Sequence, residues 1–370
     1  MINSAELRAG DWVEVRSKAE ILATLDKRGE LEGLPFMPEM FEFCGTKIRV
    51  FKRAHKTCDP PNGLGGRRML HTVHLEDIRC TGEAHGGCQA RCLVFWKEAW
   101  LKRVSEGGEA GAGAVGNSVS CAGCSEQDVF ASSQRRDQPA GPSGEPVFAC
   151  QSTELSGATQ PLSGWDIRQY IEDYVSGNVP LSQIFAAFFF FLYEELVTAG
   201  LGLGAALRWI YDVVQRIRGG TPYPWRVGLV QHGAKTPAAK LDVQPGELVK
   251  IRSYPEILKT LNVQRQNRGM WFDAEMVPYC GGTYRVLDRV SKIINEKTGK
   301  MQHLKNDCIM LDEVVCRACY ATNRRFCPRA IYAYWREIWL ERVSPNGTTN
   351  LEQGLLKSTN PDPESVKIAE

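Results

Sequence analysis

The sequence predicts a mixed β fold with α-helices: two small modules of short strands, joined by a flexible linker and a helical segment. Residues 10–104 match residues 246–343 at a constant offset of 236, broken by one three-residue insertion in the second copy. Between the copies lies a stretch rich in Gly, Ala and Ser, side chains too small to bury the area that ordering a chain requires. From Trp165 the apolar spacing turns helical. The boundaries that follow are a first module over residues 1–104, a flexible linker over 105–147, a helical bridge over 148–220, a second module over 221–343 and a mobile polar tail over 344–370.

The composition fits. With 43% hydrophobic and 24% charged residues in 370, the chain sits near the globular average, which disfavours wholesale disorder and coiled coils. A formal charge of +2, from 45 basic against 43 acidic residues, lacks the electrostatic footprint of a dedicated nucleic-acid binder. No basic segment followed by an apolar one opens the chain, so the sequence predicts a cytoplasmic setting, where thiols serve metal or redox chemistry rather than a disulfide framework.

In chain order, each copy opens on an alternating run, Gly10-Asp-Trp-Val-Glu-Val-Arg16 and Gly246-Glu-Leu-Val-Lys-Ile-Arg252, whose period of two predicts a half-buried strand. A short helix follows at Lys18–Leu25 and Tyr254–Leu261. Strands are then expected at Lys47–Arg53 and Thr283–Val290, and at Thr72–Ile78 and Cys308–Val314. Around the turn 295–300 the second copy also signals a hairpin. Each copy closes on an aromatic amphipathic stretch, Cys92–Val104 and Ile331–Val343, in which Trp96/Trp100 and Trp335/Trp339 are each four apart. That spacing favours core over a base-stacking platform. In the bridge, helices are expected at Trp165–Val175, at Gln183–Thr198 after Ser182 as N-cap, and at Ala205–Arg218 before Gly219-Gly220.

The order of short strands, with the opening Gly-Asp/Glu-x-Val-x-Val pattern, resembles SH3-like small barrels over about half the chain. The two-copy, cysteine-rich layout is also similar to bacterial proteins of unknown role, a likeness that implies no function.

Thirteen cysteines are the strongest chemical signal. Three positions recur between the copies: Cys44 with Cys280, Cys80 with Cys316, and Cys88 with Cys327. Soft thiolates converging from separated loops suit a metal, either zinc or an iron–sulfur cluster. For the fourth ligand of the first copy, His74 competes with Cys92; for the second, Cys308 competes with Cys319, which forms Cys316-Arg-Ala-Cys319. Cys121 and Cys124 form a CxxC in the linker without the strand-to-helix setting of a redox motif, and Cys150 reads as structural.

Two functional classes follow. The leading one is a metal-binding accessory or scaffold protein, zinc or iron–sulfur, one site per copy, that binds a protein or peptide partner. The other is a metalloenzyme, whose open site in the first copy would perform redox or hydrolytic chemistry on a small metabolite. The apolar run IFAAFFFFLY (184–193) is expected to be a covered helix, with membrane-surface docking through 184–207 and self-association as its other readings.

Overall fold

The computed structural model describes residues 6–59, 65–104, 123–134, 146–200, 202–321 and 324–343. The expected tail, most of the linker and Cys121 lie outside the described residues.

The architecture is mixed β with α. In the N-terminal segment the strands are β1 (Trp12–Val15), β2 (Glu30–Leu31), β3 (Leu34–Pro35), β4 (Lys47–Arg53), β5 (Lys56–Asp59), β6 (Gly65–Arg68), β7 (Thr72–Arg79), β8 (Leu93–Lys97) and β9 (Leu101–Arg103), with helix α1 (Lys18–Leu22) after β1. Five of them form an antiparallel sheet ordered β8-β7-β4-β1-β9, and β10 (Gln160–Leu162) pairs with β6 and, through it, β5. In the C-terminal segment are β11 (Leu248–Ile251), β12 (Gln266–Asn267), β13 (Met270–Trp271), β14 (Thr283–Ile294), β15 (Met301–Val315), β16 (Tyr332–Trp335) and β17 (Leu340–Arg342). Its five-stranded sheet runs β16-β15-β14-β11-β17, the same order in the equivalent strands.

Local contacts recur at the sequence offset. Trp12 pairs with Arg49 and Leu248 with Arg285. Ser17 and Glu20 form a capping box on α1, the Ser17 N–H donating to Glu20 Oε2 at 3.0 Å, and Ser253 and Glu256 cap the later helix with the same bond at 3.0 Å. The Trp100 indole N–H donates to Thr24 Oγ1 at 3.1 Å, and that of Trp339 to Thr260 Oγ1 at 2.9 Å. Phe36 meets Trp100 edge-on at 5.1 Å, as Phe272 meets Trp339 at 5.2 Å. Arg53–Glu98 and Arg289–Glu337 are ion pairs of 2.8 Å each. Trp96, Trp100, Trp335 and Trp339 are fully buried, so they pack cores and offer no stacking platform.

The closing aromatic stretch of each copy is a strand, a 3-10 turn and a second strand: β8, Glu98–Trp100 and β9, then β16, Glu337–Trp339 and β17. The turn returns both indoles to the core, which mimics helical spacing. Three expectations, on the linker, the start of α4 and its Phe run, need correction. Within the expected linker, Ser125 caps helix α2 (Glu126–Ser132), which buries Val129 in the N-terminal core and stacks Phe130 on Phe41. In the bridge, α3 (Arg168–Val175) precedes α4 (Leu181–Thr198) and α5 (Gly204–Arg218), α4 starting after Pro180 rather than at Ser182. The Phe run of α4, expected to be covered, is largely exposed at Phe185, Phe188 and Phe189, and α5 exposes Trp209, Val214 and Ile217. Helix α4, with mean hydropathy 1.4, is long and apolar enough to cross a membrane by length and composition. The C-terminal segment opens with α6 (Tyr254–Leu258) after β11.

The chain divides into two compact units that do not follow the copies. The first comprises Met1–Trp225 with Val290–Asp307 and Val315–Ala333; the second comprises Arg226–Arg289, Cys308–Val314 and Tyr334–Glu370. The hairpin tip between β14 and β15 and the loop holding Cys316, Cys319 and Cys327 therefore belong to the first unit.

Candidate metal centre

Within the first unit, the end of β7 leads into a tight turn, Thr81 to Cys88. Gly82 (φ +76°) and Gly86 (φ +65°) take left-handed backbone there, and neither position has room for a side chain. A Cβ on Gly82 would overlap the Cys88 backbone, and one on Gly86 would come within 2.6 Å of Phe148. The turn thereby folds His85 and Cys88 back towards Cys80.

A small cavity of about 30 Å³, room for roughly one water or ion, opens at this turn. Cys80, Cys88, Cys92 and Cys150 all line it, with His85 and Glu296. At its edge the Cys80 thiol donates to Glu39 Oε1 at 3.0 Å, and His85 Nδ1 lies 3.4 Å from the same oxygen. Glu39, Cys80 and His85 form a group whose ligand atoms all lie within 4.8 Å of one another; among the described residues no three of the four thiols are drawn that close. His85 Nε2 sits 3.0 Å from the Ala149 carbonyl. Among the described residues neither His85 Nδ1 nor Glu39 Oε2 meets a hydrogen-bond partner, although both are buried.

The electrostatics suit a cation. Burial pushes the Cys80 thiol far above its ordinary value, with the Glu39 carboxylate adding to the shift, and holds Cys150 up to about 12. Burial also raises Cys88, partly offset by the Ile294 N–H donating to its sulfur at 3.3 Å. Thiols kept protonated are poor nucleophiles; a bound cation converts them to thiolates. Burial pushes the Glu39 carboxyl up, but the His85 ring beside it, then the Cys80 hydrogen bond, leave it below its ordinary value. Beside the cavity the buried Arg329 guanidinium donates to Glu296 and to Ser152 Oγ at 2.7 Å each, and Ser152 Oγ lies 3.5 Å from Cys92 Sγ.

Of the residues nominated from sequence, the structure gathers Cys80, Cys88 and Cys92 here. His74 is elsewhere: its ring packs 4.5 Å from Phe95 and its Nδ1 meets the Val94 carbonyl at 2.9 Å, because its strand turns that face into the core. Cys44 packs against the N-terminal core instead of lining the cavity. In the second unit, Cys280 Sγ lies 3.9 Å from the Met276 carbonyl, burial holding its thiol up to about 12, while Cys308 Sγ lies 3.4 Å from Met270 Sδ. Cys316, Cys319 and Cys327 belong to the first unit, so the five nominees of the second copy are divided. Cys124 is buried in the N-terminal core.

Cys150, read from sequence as structural, lines the cavity. No spacing signal marked it, since it arrives from the bridge by tertiary folding alone. Glu39 carried a signal in its match to Glu275, and His85 in its position before Gly86-Gly87-Cys88. No family of known proteins, curated protein or solved structure matches the chain.

Proposed function

We propose that this chain is a metal-binding accessory protein built on two SH3-like modules, with a zinc ion held in the cavity by Cys80, His85 and further thiols from Cys88, Cys92 and Cys150. The observation that carries this reading is the convergence of four cysteines and His85 on one ion-sized cavity, with Glu39 beside Cys80 and His85. Nitrogen, sulfur and carboxylate donors together suit zinc. The shared strand order supports the paired modules, and the exposed apolar surface of α4 and α5 supports a protein partner.

A second reading, an iron–sulfur enzyme, draws on the four thiols that line the cavity, the donor count a cluster takes.

Metal analysis with a visible spectrum on anaerobically purified protein separates the two. Colourless protein with stoichiometric zinc is the expected result, and Cys80→Ala is expected to lose one equivalent. Broad visible absorption with matching iron and sulfide would establish the cluster instead. Full metal content in Cys80→Ala would refute the site.

A further inference from the structure

We propose that Cys58, Cys316, Cys319 and Cys327 form a second metal site, a closed tetrathiolate suited to zinc, assembled from both matching segments of the chain.

Cys58 is buried on β5, and its backbone N–H donates to Cys327 Sγ at 3.2 Å. Cys58, Ala318 and Cys327 form one buried cluster, and Cys316 packs against it. The Cys316-Arg-Ala-Cys319 pair sits on a tight turn with Ala318 at φ +52°. The Phe326 N–H closes onto the Ala318 carbonyl at 2.8 Å, bringing Cys327 back over that turn, while the Cys316 N–H is anchored to the Ile331 carbonyl at 2.7 Å. A CxxC turn facing a returning cysteine is the half-site of a zinc knuckle. Cys319 follows Ala318 in the same turn, its Sγ 3.6 Å from the Arg317 carbonyl. Cys58 then supplies the fourth thiol.

The two thiol sites are reciprocal in the chain. Cys88 Sγ accepts the Ile294 N–H, and Cys327, which matches Cys88, accepts the Cys58 N–H. Ile294 is the residue 236 positions after Cys58. Each of these cysteines is thus seated on a backbone amide from the other segment. Where the C-terminal segment presents an isoleucine, the N-terminal one presents a thiol. That accounts for a cysteine at 58 with no matching cysteine in the other copy, and for Cys308 standing beside Met270 instead of joining the set. In the cavity centre, whose seat is Ile294, Cys150 takes the extra place.

Cobalt(II) is the probe, added to reduced, chelator-treated full-length protein carrying Cys80→Ser and Cys150→Ser, which disable the cavity centre. One equivalent should give thiolate charge-transfer absorption and intense tetrahedral d–d bands. These should vanish when Cys58→Ser is added and persist when Cys308→Ser is added. If the background variant fails to fold, zinc content of otherwise wild-type protein decides: one equivalent fewer in Cys58→Ser and no change in Cys308→Ser. Absence of tetrahedral bands in folded background protein, or full metal in Cys58→Ser, would overturn the proposal. So would a Cys58–Cys327 disulfide found by peptide mapping of anaerobically purified chain. Failure of the cavity centre leaves each of these results unchanged, so the two sites are read separately.

Discussion

Asp173→Ala is expected to destabilise the chain by about 3–5 kcal/mol, the range for removing one partner of a buried ion pair. Asp173 lies on α3 with no exposure, its Oδ2 2.5 Å from Lys56 Nζ and its Oδ1 3.3 Å from His55 Nε2. Lys56 is itself buried on β5, its ammonium 4.9 Å from the Tyr170 ring and 5.6 Å from that of Phe326. Burial pushes the Lys56 pKa down, and Asp173 is the main group opposing that shift. Without the carboxylate, an uncompensated cation remains beside two aromatic rings. The measurement is the shift of the urea midpoint at unchanged m. Lys56→Met combined with Asp173→Leu should recover most of the loss, because the pair then leaves no buried charge. A change below about 1 kcal/mol for Asp173→Ala would contradict the ion pair as a determinant of how α3 holds the strand that carries Cys58.

The second large effect is on acid stability, through His74. Burial holds its imidazole pKa down to about 3, against an ordinary 6.5, and Arg329, Arg79 and Lys52 add repulsion to its protonated form. Between pH 6.5 and 3 the unfolded chain therefore binds a proton that the folded chain refuses, and stability falls as pH falls through that window. The slope is about 1.4 kcal/mol per pH unit and the total about 4–5 kcal/mol by pH 3; above 6.5 the contribution is fully present. His74→Gln retains an N–H for the Val94 carbonyl and does not titrate. Its denaturation free energy should fall less steeply than the wild type's between pH 6 and 4, by about one proton's worth of slope. Identical slopes in the two proteins would show that His74 takes up its proton when folded.

Individual residues show how much was legible. The opening strands, the short helices after them and the paired tryptophans follow from short-range pattern, because alternation and spacing are properties of a few consecutive residues. Cys80, Cys88 and Cys92, nominated together from sequence, line one cavity because they lie close together in the chain. His74 failed because the face a strand presents depends on its neighbours, here Phe95 on β8. The exposed phenylalanines of α4 failed because apolar composition alone does not say what covers a helix.

The matching of the two segments carried the assumption that each copy gathers its own cysteines, whereas Cys58 of the first segment lies against Cys327 of the second. The sequence by itself determined the opening and central strands of each segment, the short helices after the opening strands and which cysteine positions recur, since each rests on local periodicity or on a register running within a segment. The tertiary structure alone decided that Cys150 reaches the cavity, that Cys58 lies against Cys327, and that Cys308 and Cys316, eight residues apart, belong to different units. The physical reason is that thiol contacts are made by loops and strand ends, whose meeting is set by tertiary folding and which no periodicity in either segment encodes.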